Sequence, residues 1–273
     1  MVEHLSGDDD SARATLAIEL RRLREESGKS LAQLSEDTSY DRTYLHRLET
    51  GERLSQRPVM EALDAVYGTG GLLVRLWRLA RQETFIDRFQ QFMLFEAKAV
   101  IMHKFMVAMP GLLQTEDYAR VVLSSEPKPG GDNEVEDQVA ARIGRQDLLH
   151  QDPPPTVRII LDEGVLRRPP ADRKVWRGQL SHIMDSASSS NMTIQVLPFA
   201  AGVHDLMGGS LSLLWLPDGH AVAYLEGSKS GDLIDDLHEV SQLRLSYDRV
   251  RDLALPPPES LAFIQRVMEE NAS

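Results

Sequence analysis

Residues 15–67 read TLAIELRRLREESGKSLAQLSEDTSYDRTYLHRLETGERLSQRPVMEALDAVY. Leu31, Leu34, Leu45 and Leu48 fall at helical spacing in two short segments, Leu31 to Asp37 and Arg42 to Glu49, with Ser39-Tyr40-Asp41 between them. Each segment is only two turns long, and isolated helices shorter than about 12 residues are marginal in water. They need partners, and the apolar residues available are Leu16, Leu20 and Leu23 before them and Met60, Leu63 and Val66 after them. The punctuation agrees. Ser30 with Gln33 three residues on matches a capping box, and Asp41 suits the N-cap of the following helix. Gly28 and Gly51 sit where a left-handed residue ends a helix. Spacing, caps and turn predict one compact all-helical bundle.

The residues Leu20-Arg21-Arg22-Leu23-Arg24, Gly28-Lys29-Ser30, Leu34-Ser35 and Asp41-Arg42 through Arg47-Leu48-Glu49-Thr50-Gly51 occur in this order. In that pattern the stretch resembles the Xre/Cro-like family of bacterial helix-turn-helix regulators. The resemblance covers about 65 residues. It implies a lambda-repressor-like fold and double-stranded DNA as a partner. One position departs from the family pattern: many members carry Gln just after the Ser of the second helix, and this chain has Leu31.

In a helix-turn-helix, the second helix of the motif enters the major groove with its N-terminal residues nearest the base edges. With Leu45 and Leu48 turned inward, Arg42, Thr43, His46 and Arg47 project from the other faces. Arg42 is expected to pair bidentately with guanine and Thr43 to touch a thymine methyl. Arg47 is expected to reach a base or a phosphate, and His46 ranks below Arg42. Ser30 and Gln33, opening the preceding helix, complete the expected set with Lys29, Arg53 and Arg57, whose role is to hold the phosphate backbone and position the protein.

A chain of 273 residues exceeds one ordinary domain. The expected layout is a polar, acidic, disordered tail over 1–12, a helix-turn-helix domain over 13–82 and a regulatory domain over 83–273. The expected fold class is multi-domain, an all-α N-terminal domain followed by an α+β C-terminal domain. The net charge of −12 looks wrong for DNA until it is partitioned. Residues 11–81 hold twelve Arg and Lys against ten Asp and Glu, residues 1–10 carry −4, and −10 is left for 82–273. A module so weakly basic has modest non-specific affinity, since that affinity follows the phosphates neutralised. A homodimer is therefore expected, because it doubles the contacts.

There is no cysteine, so neither disulfides nor a thiolate zinc site is expected. No signal peptide and no run of about 18 apolar residues is seen, which points to a cytoplasmic protein without a membrane. Beyond residue 100 the pattern turns mixed. A strand-like run precedes Pro110-Gly111, a helix opens at Thr115, and VEDQVAARIGRQDLL (135–149) is an amphipathic helix after the loop at Pro127 to Gly131. Strands are predicted at VRIIL (157–161) and MTIQVLPF (192–199), with a helix at WRGQLSHIMDSA between them. GSLSLLWLPDGHAVAYLEG reads as a hairpin about Pro217-Asp218-Gly219, and two helices close the chain.

PGLLQTEDYAR (110–120), the helix at 135–149, VRIILDEGVLRRP (157–169), MTIQVLPFAAGVH (192–204) and VAYLEG (222–227) occur in this order. Together they resemble the C-terminal domain that actinobacteria, streptomycetes especially, append to Xre-type domains, as in the WhiJ-type developmental regulators. The resemblance implies a transcriptional regulator and an antitoxin-like link to a small protein encoded by an adjacent gene. A one-component regulator that senses a small molecule directly is the alternative, and an enzyme domain tethered to DNA a third. Tyr118, Arg167, Arg168, Phe199, His204, Trp215 and Glu226 are the candidates for a partner or ligand site. Enzyme activity, a metal and a cofactor are not expected. Asp162-Glu163 reads as a helix start, the histidines lack metal-ligand spacing, Gly208-Gly209-Ser210 lacks the Lys of a phosphate loop, and no Ser stands in a G-x-S-x-G setting.

Overall fold

The computed structural model describes residues 11–125, 131–228 and 230–271. The chain divides into two compact units that meet between Phe89 and Gln90. The first is all helical: α1 (Ala12–Glu26), α2 (Leu31–Thr38), α3 (Arg42–Glu49), α4 (Arg57–Tyr67) and α5 (Leu72–Lys98), the last running across the division. Its core gathers Leu16 and Leu20 of α1, Leu34 of α2, Leu45 and Leu48 of α3, Val59, Met60 and Leu63 of α4, and Leu73, Trp77 and Ala80 of α5. These are the tertiary partners the two short helices lack by themselves. The expected tail over 1–12 falls mostly outside the described residues, but Ser11 caps α1 and Ala12 opens it.

Helix ends carry much of the geometry. Ser30 Oγ accepts from Gln33 N–H while Gln33 Oε1 accepts from Ser30 N–H, closing the capping box of α2. Asp41 Oδ1 accepts from the N–H groups of Thr43 (2.8 Å) and Tyr44 (3.1 Å) at the start of α3. The buried Asp64 does the same for α5, accepting from Leu73 N–H (2.9 Å) and Val74 N–H (3.1 Å) and from the Thr69 hydroxyl. Trp77 is a core residue whose indole N–H donates to Ser55 O at 2.9 Å.

The second unit contains β1 (Ile101–Met106), α6 (Glu116–Leu123), α7 (Gly131–Gly144), β2 (Thr156–Asp162), α8 (Glu163–Leu166), α9 (Arg173–Ser186), β3 (Met192–Leu197), β4 (Ser210–Trp215), β5 (Ala221–Gly227), β6 (Ser230–Ile234), α10 (Leu237–Leu253) and α11 (Pro257–Glu270). The strands form one mixed sheet in the order β3-β2-β1-β4-β5-β6, parallel from β3 to β1 and antiparallel from β1 to β6. The fold is thus an all-α unit followed by an α+β unit.

Alternate strand residues face opposite ways, and both faces of this sheet are covered. On one, Phe105, Ile160, Leu197, Leu211, Leu213 and Ala223 pack on Val240, Tyr247 and Val250 of α10. On the other, Tyr224 stacks on Phe92 at a centroid distance of 4.4 Å, and Lys104 bonds Glu96 Oε1 at 2.7 Å and Ser212 Oγ at 3.0 Å. Arg145 takes the second Glu96 oxygen. Burial alone would raise the pKa of Glu96, but Lys104 and Arg145 overcome it and hold the carboxyl below its usual range.

Two features differ from the sequence reading. The helix predicted over 135–149 begins at Gly131 and ends at Gly144, and Arg145–His150 continue as a tighter 3₁₀ turn. Of the loop predicted at Pro127 to Gly131, residues 127–130 lie outside the described residues. The sixth strand was not expected at all: SGDLI is five residues long with one acid and one glycine, too short to display a period of two.

Candidate nucleic-acid interface

α3 presents two kinds of residue. Leu45, Leu48 and Glu49 are buried, while Arg42, Thr43, His46 and Arg47 are exposed. The burial of Leu45 and Leu48 forces the other four outward. Ser30, Leu31, Ala32, Arg42, Thr43 and His46 line one open recess of about 420 Å³, where the starts of α2 and α3 come together. Peptide dipoles make a helix start partly positive, so two such ends at one recess favour an anionic ligand. Leu31 and Ala32 add apolar lining to it.

The recess is held from behind. Arg24 Nε donates to both Glu49 oxygens (2.8 and 3.0 Å) and Arg24 Nη1 to Lys29 O (3.3 Å), so α1 fixes the end of α3 and the entry to α2 together. Arg13 Nε donates to Gly51 O at 2.7 Å, behind the same helix end. Buried beside this pair, the Tyr67 hydroxyl is pushed up to about 12 by its burial and then by Glu49. Sequence reasoning took Arg24 and Glu49 as parts of a pattern and missed that they bond each other. The signal was a Glu at a buried helical position, which calls for a cation.

The expected backbone-holding residues are partly engaged. Lys29 Nζ bonds Asp37 (2.7 Å), Arg57 bonds Glu61 (2.7 Å), and the Arg53 guanidinium lies 5.2 Å over the Tyr44 ring. Gln33 uses its carbonyl oxygen on Ser30. These partners are surface contacts worth at most about 1 kcal/mol.

The seven candidates in the second unit do not assemble. Tyr118 lies against Trp176, and Arg167 bonds Glu163 and Glu270 above the Phe263 ring. Phe199 is exposed, with its N–H donating to Glu163. Trp215 meets His103 near the start of β1, whereas His204 meets Phe105 near its end. Glu226 points to the face that holds Lys104, its carboxyl raised by burial against the lowering pull of Lys104, Arg145 and Arg142. Arg168 is exposed next to Arg167. Asp162 accepts from Gly164 N–H as the cap of α8, so the adjacent acids are a helix start and an ion-pair partner. Among the described residues no group of His, Asp and Glu could hold a metal ion, and no helix is long and apolar enough to cross a membrane.

A capped two-helix turn with an outward Arg-bearing face defines a helix-turn-helix protein. Residues 15–77 match the family described as helix-turn-helix domain. Residues 89–266 match the domain of unknown function DUF5753, and the chain belongs to that family. No curated protein and no solved structure matches it. The helix-turn-helix domain supports DNA binding and a regulator rather than an enzyme.

Proposed function

We propose that the chain is a sequence-specific transcriptional regulator that reads operator DNA with the exposed start of α3 and works as a homodimer. Arg42 reads a guanine and Thr43 a thymine methyl, with Arg47 and His46 further along the same face. Ser30 and Gln33 set the start of α2, while Lys29, Arg53 and Arg57 hold phosphates once DNA competes for their surface partners. The observation that carries this reading is the shared recess of Ser30, Leu31, Arg42, Thr43 and His46, held by the Arg24–Glu49 pair.

The second unit is proposed to receive the signal through a small protein, encoded beside it in an actinobacterial, WhiJ-type arrangement. Supporting this over a small-molecule ligand are the exposed apolar side chains Phe199, Val203 and Met207, 62, 88 and 61% accessible. Apolar groups on an open surface suit a broad partner better than a small ligand, which prefers a concave site. The DNA claim is tested by selecting an operator with the wild-type protein and measuring Arg42→Ala on it. A loss of about 1–3 kcal/mol is expected, and an unchanged footprint and affinity would remove the reading of α3.

A further inference from the structure

The recess between the starts of α2 and α3 has two chemical characters. Two helix starts and the exposed Arg42 make it partly positive. Leu31, Ala32 and Thr43, whose side chain carries a methyl as well as a hydroxyl, make it partly apolar. In the major groove each base presents its own edge: guanine two acceptors, adenine an acceptor and a donor, cytosine a donor. Thymine alone sets an acceptor, O4, beside an apolar group, its C5-methyl. The mixed lining of this recess is the complement of that edge.

Leu31 is the aliphatic side chain of larger size in the lining. It opens α2 and is half-buried, with part of its surface packed on the core of the helical unit and part turned to the recess. Core packing fixes its position before any ligand arrives. The polar side chains around it are already used by the helix starts. The Ser30 hydroxyl donates to Gln33 Oε1 (3.0 Å) and accepts from Gln33 N–H (3.2 Å), and the same Oε1 accepts from Ser30 N–H (2.9 Å). Asp41 is engaged in the same way by the N–H groups of Thr43 and Tyr44. On its α2 side the recess therefore meets DNA with an aliphatic group. Such a group gains free energy where it leaves water for another apolar surface, and the apolar group on a major-groove base edge is the thymine methyl.

We propose that Leu31 is a specificity-determining residue: the methyl of the thymine read by Thr43 packs between Leu31 of α2 and Thr43 of α3, so that one base is read from two helices. The proposal rests on the reading of α3 above and adds a second helix to it.

The test uses the full-length protein and the operator it selects. Each thymine is replaced in turn by deoxyuridine, which removes the C5-methyl and leaves O4 and base pairing in place. Wild type is expected to bind about three- to fivefold more weakly when one particular thymine is replaced, the effect of burying a single such group. Leu31→Ala is expected to lose most of that ratio, binding the two duplexes within about twofold of each other, as coupled partners do. Because the ratio is taken within one protein, any loss of folded Leu31→Ala cancels. Leu31→Met, apolar and of similar volume, is expected to keep the ratio. A ratio in Leu31→Ala equal to that of wild type overturns the proposal, and if Thr43→Ser then removes it, the reading of α3 stands without Leu31. Wild type indifferent to every replacement overturns the proposal together with the Thr43 contact. Failure to select any operator sinks the DNA reading and this proposal with it.

Discussion

The residue that decides most in the second unit is Glu96, fully buried and divided between Lys104 and Arg145. Removing one partner of a buried pair costs about 3–5 kcal/mol, because the other charge is left without compensation. Glu96→Ala should therefore lower the unfolding free energy of the chain by that order in urea titration, since Lys104 is buried as well. A change below about 1 kcal/mol would mean Lys104 finds another partner. His103 gives a pH test. Burial first, then Arg158, lowers its pKa from 6.5 to about 4, against the raising influence of Asp248. The unfolded chain then takes up a proton that the folded chain refuses, so stability present above pH 6.5 is lost as pH falls towards 4. His103→Phe keeps a ring beside Tyr247 and Trp215 and should flatten the urea midpoint between those pH values relative to wild type. An equal slope in both proteins would clear His103 of this role. At this scale Arg42 and Thr43 were legible, because inward leucines fix which residues face out. Glu96 was not, because its partners stand in two distant segments.

At the scale of elements, α2 and α3 were readable to within a residue, since caps at Ser30 and Asp41 mark their starts in sequence. The turn between them held one surprise: Ser39 is left-handed, with φ 60° and ψ 19°, and is not a glycine. That conformation costs a side chain roughly 1–2 kcal/mol, part of which glycine loses again through its freer unfolded chain. Ser39→Gly is expected to stabilise the helix-turn-helix unit by up to about 1 kcal/mol, read as a higher melting temperature with DNA affinity intact. Destabilisation would show that the serine holds the turn in some other way. The strand β6 escaped because pairing with β5, not its own pattern, makes it a strand. The 3₁₀ turn after Gly144 escaped for a related reason: Arg145 and Gln146 are pulled to Glu96, Gly111 and Gln114 by contacts far away in sequence.

For the whole molecule the charge balance sets the terms. Residues 11–81 are nearly neutral while 82–273 carry −10, so a single copy gains little from phosphates alone and two copies double what is gained. The order of a helical unit and an α+β unit was legible from the change of period near residue 100. The gathering of a partner site was not, because Tyr118, His204, Trp215 and Glu226 come together only if the sheet brings them to one face, and it does not. The claim on which the rest depends is that the exposed start of α3 reads DNA. The direct measurement is the affinity of wild type and Arg42→Ala for a selected operator and for a scrambled duplex at one salt concentration. The account predicts a loss of about 1–3 kcal/mol on the operator with little change on the scrambled duplex. Equal affinities of the two proteins on both duplexes would contradict it.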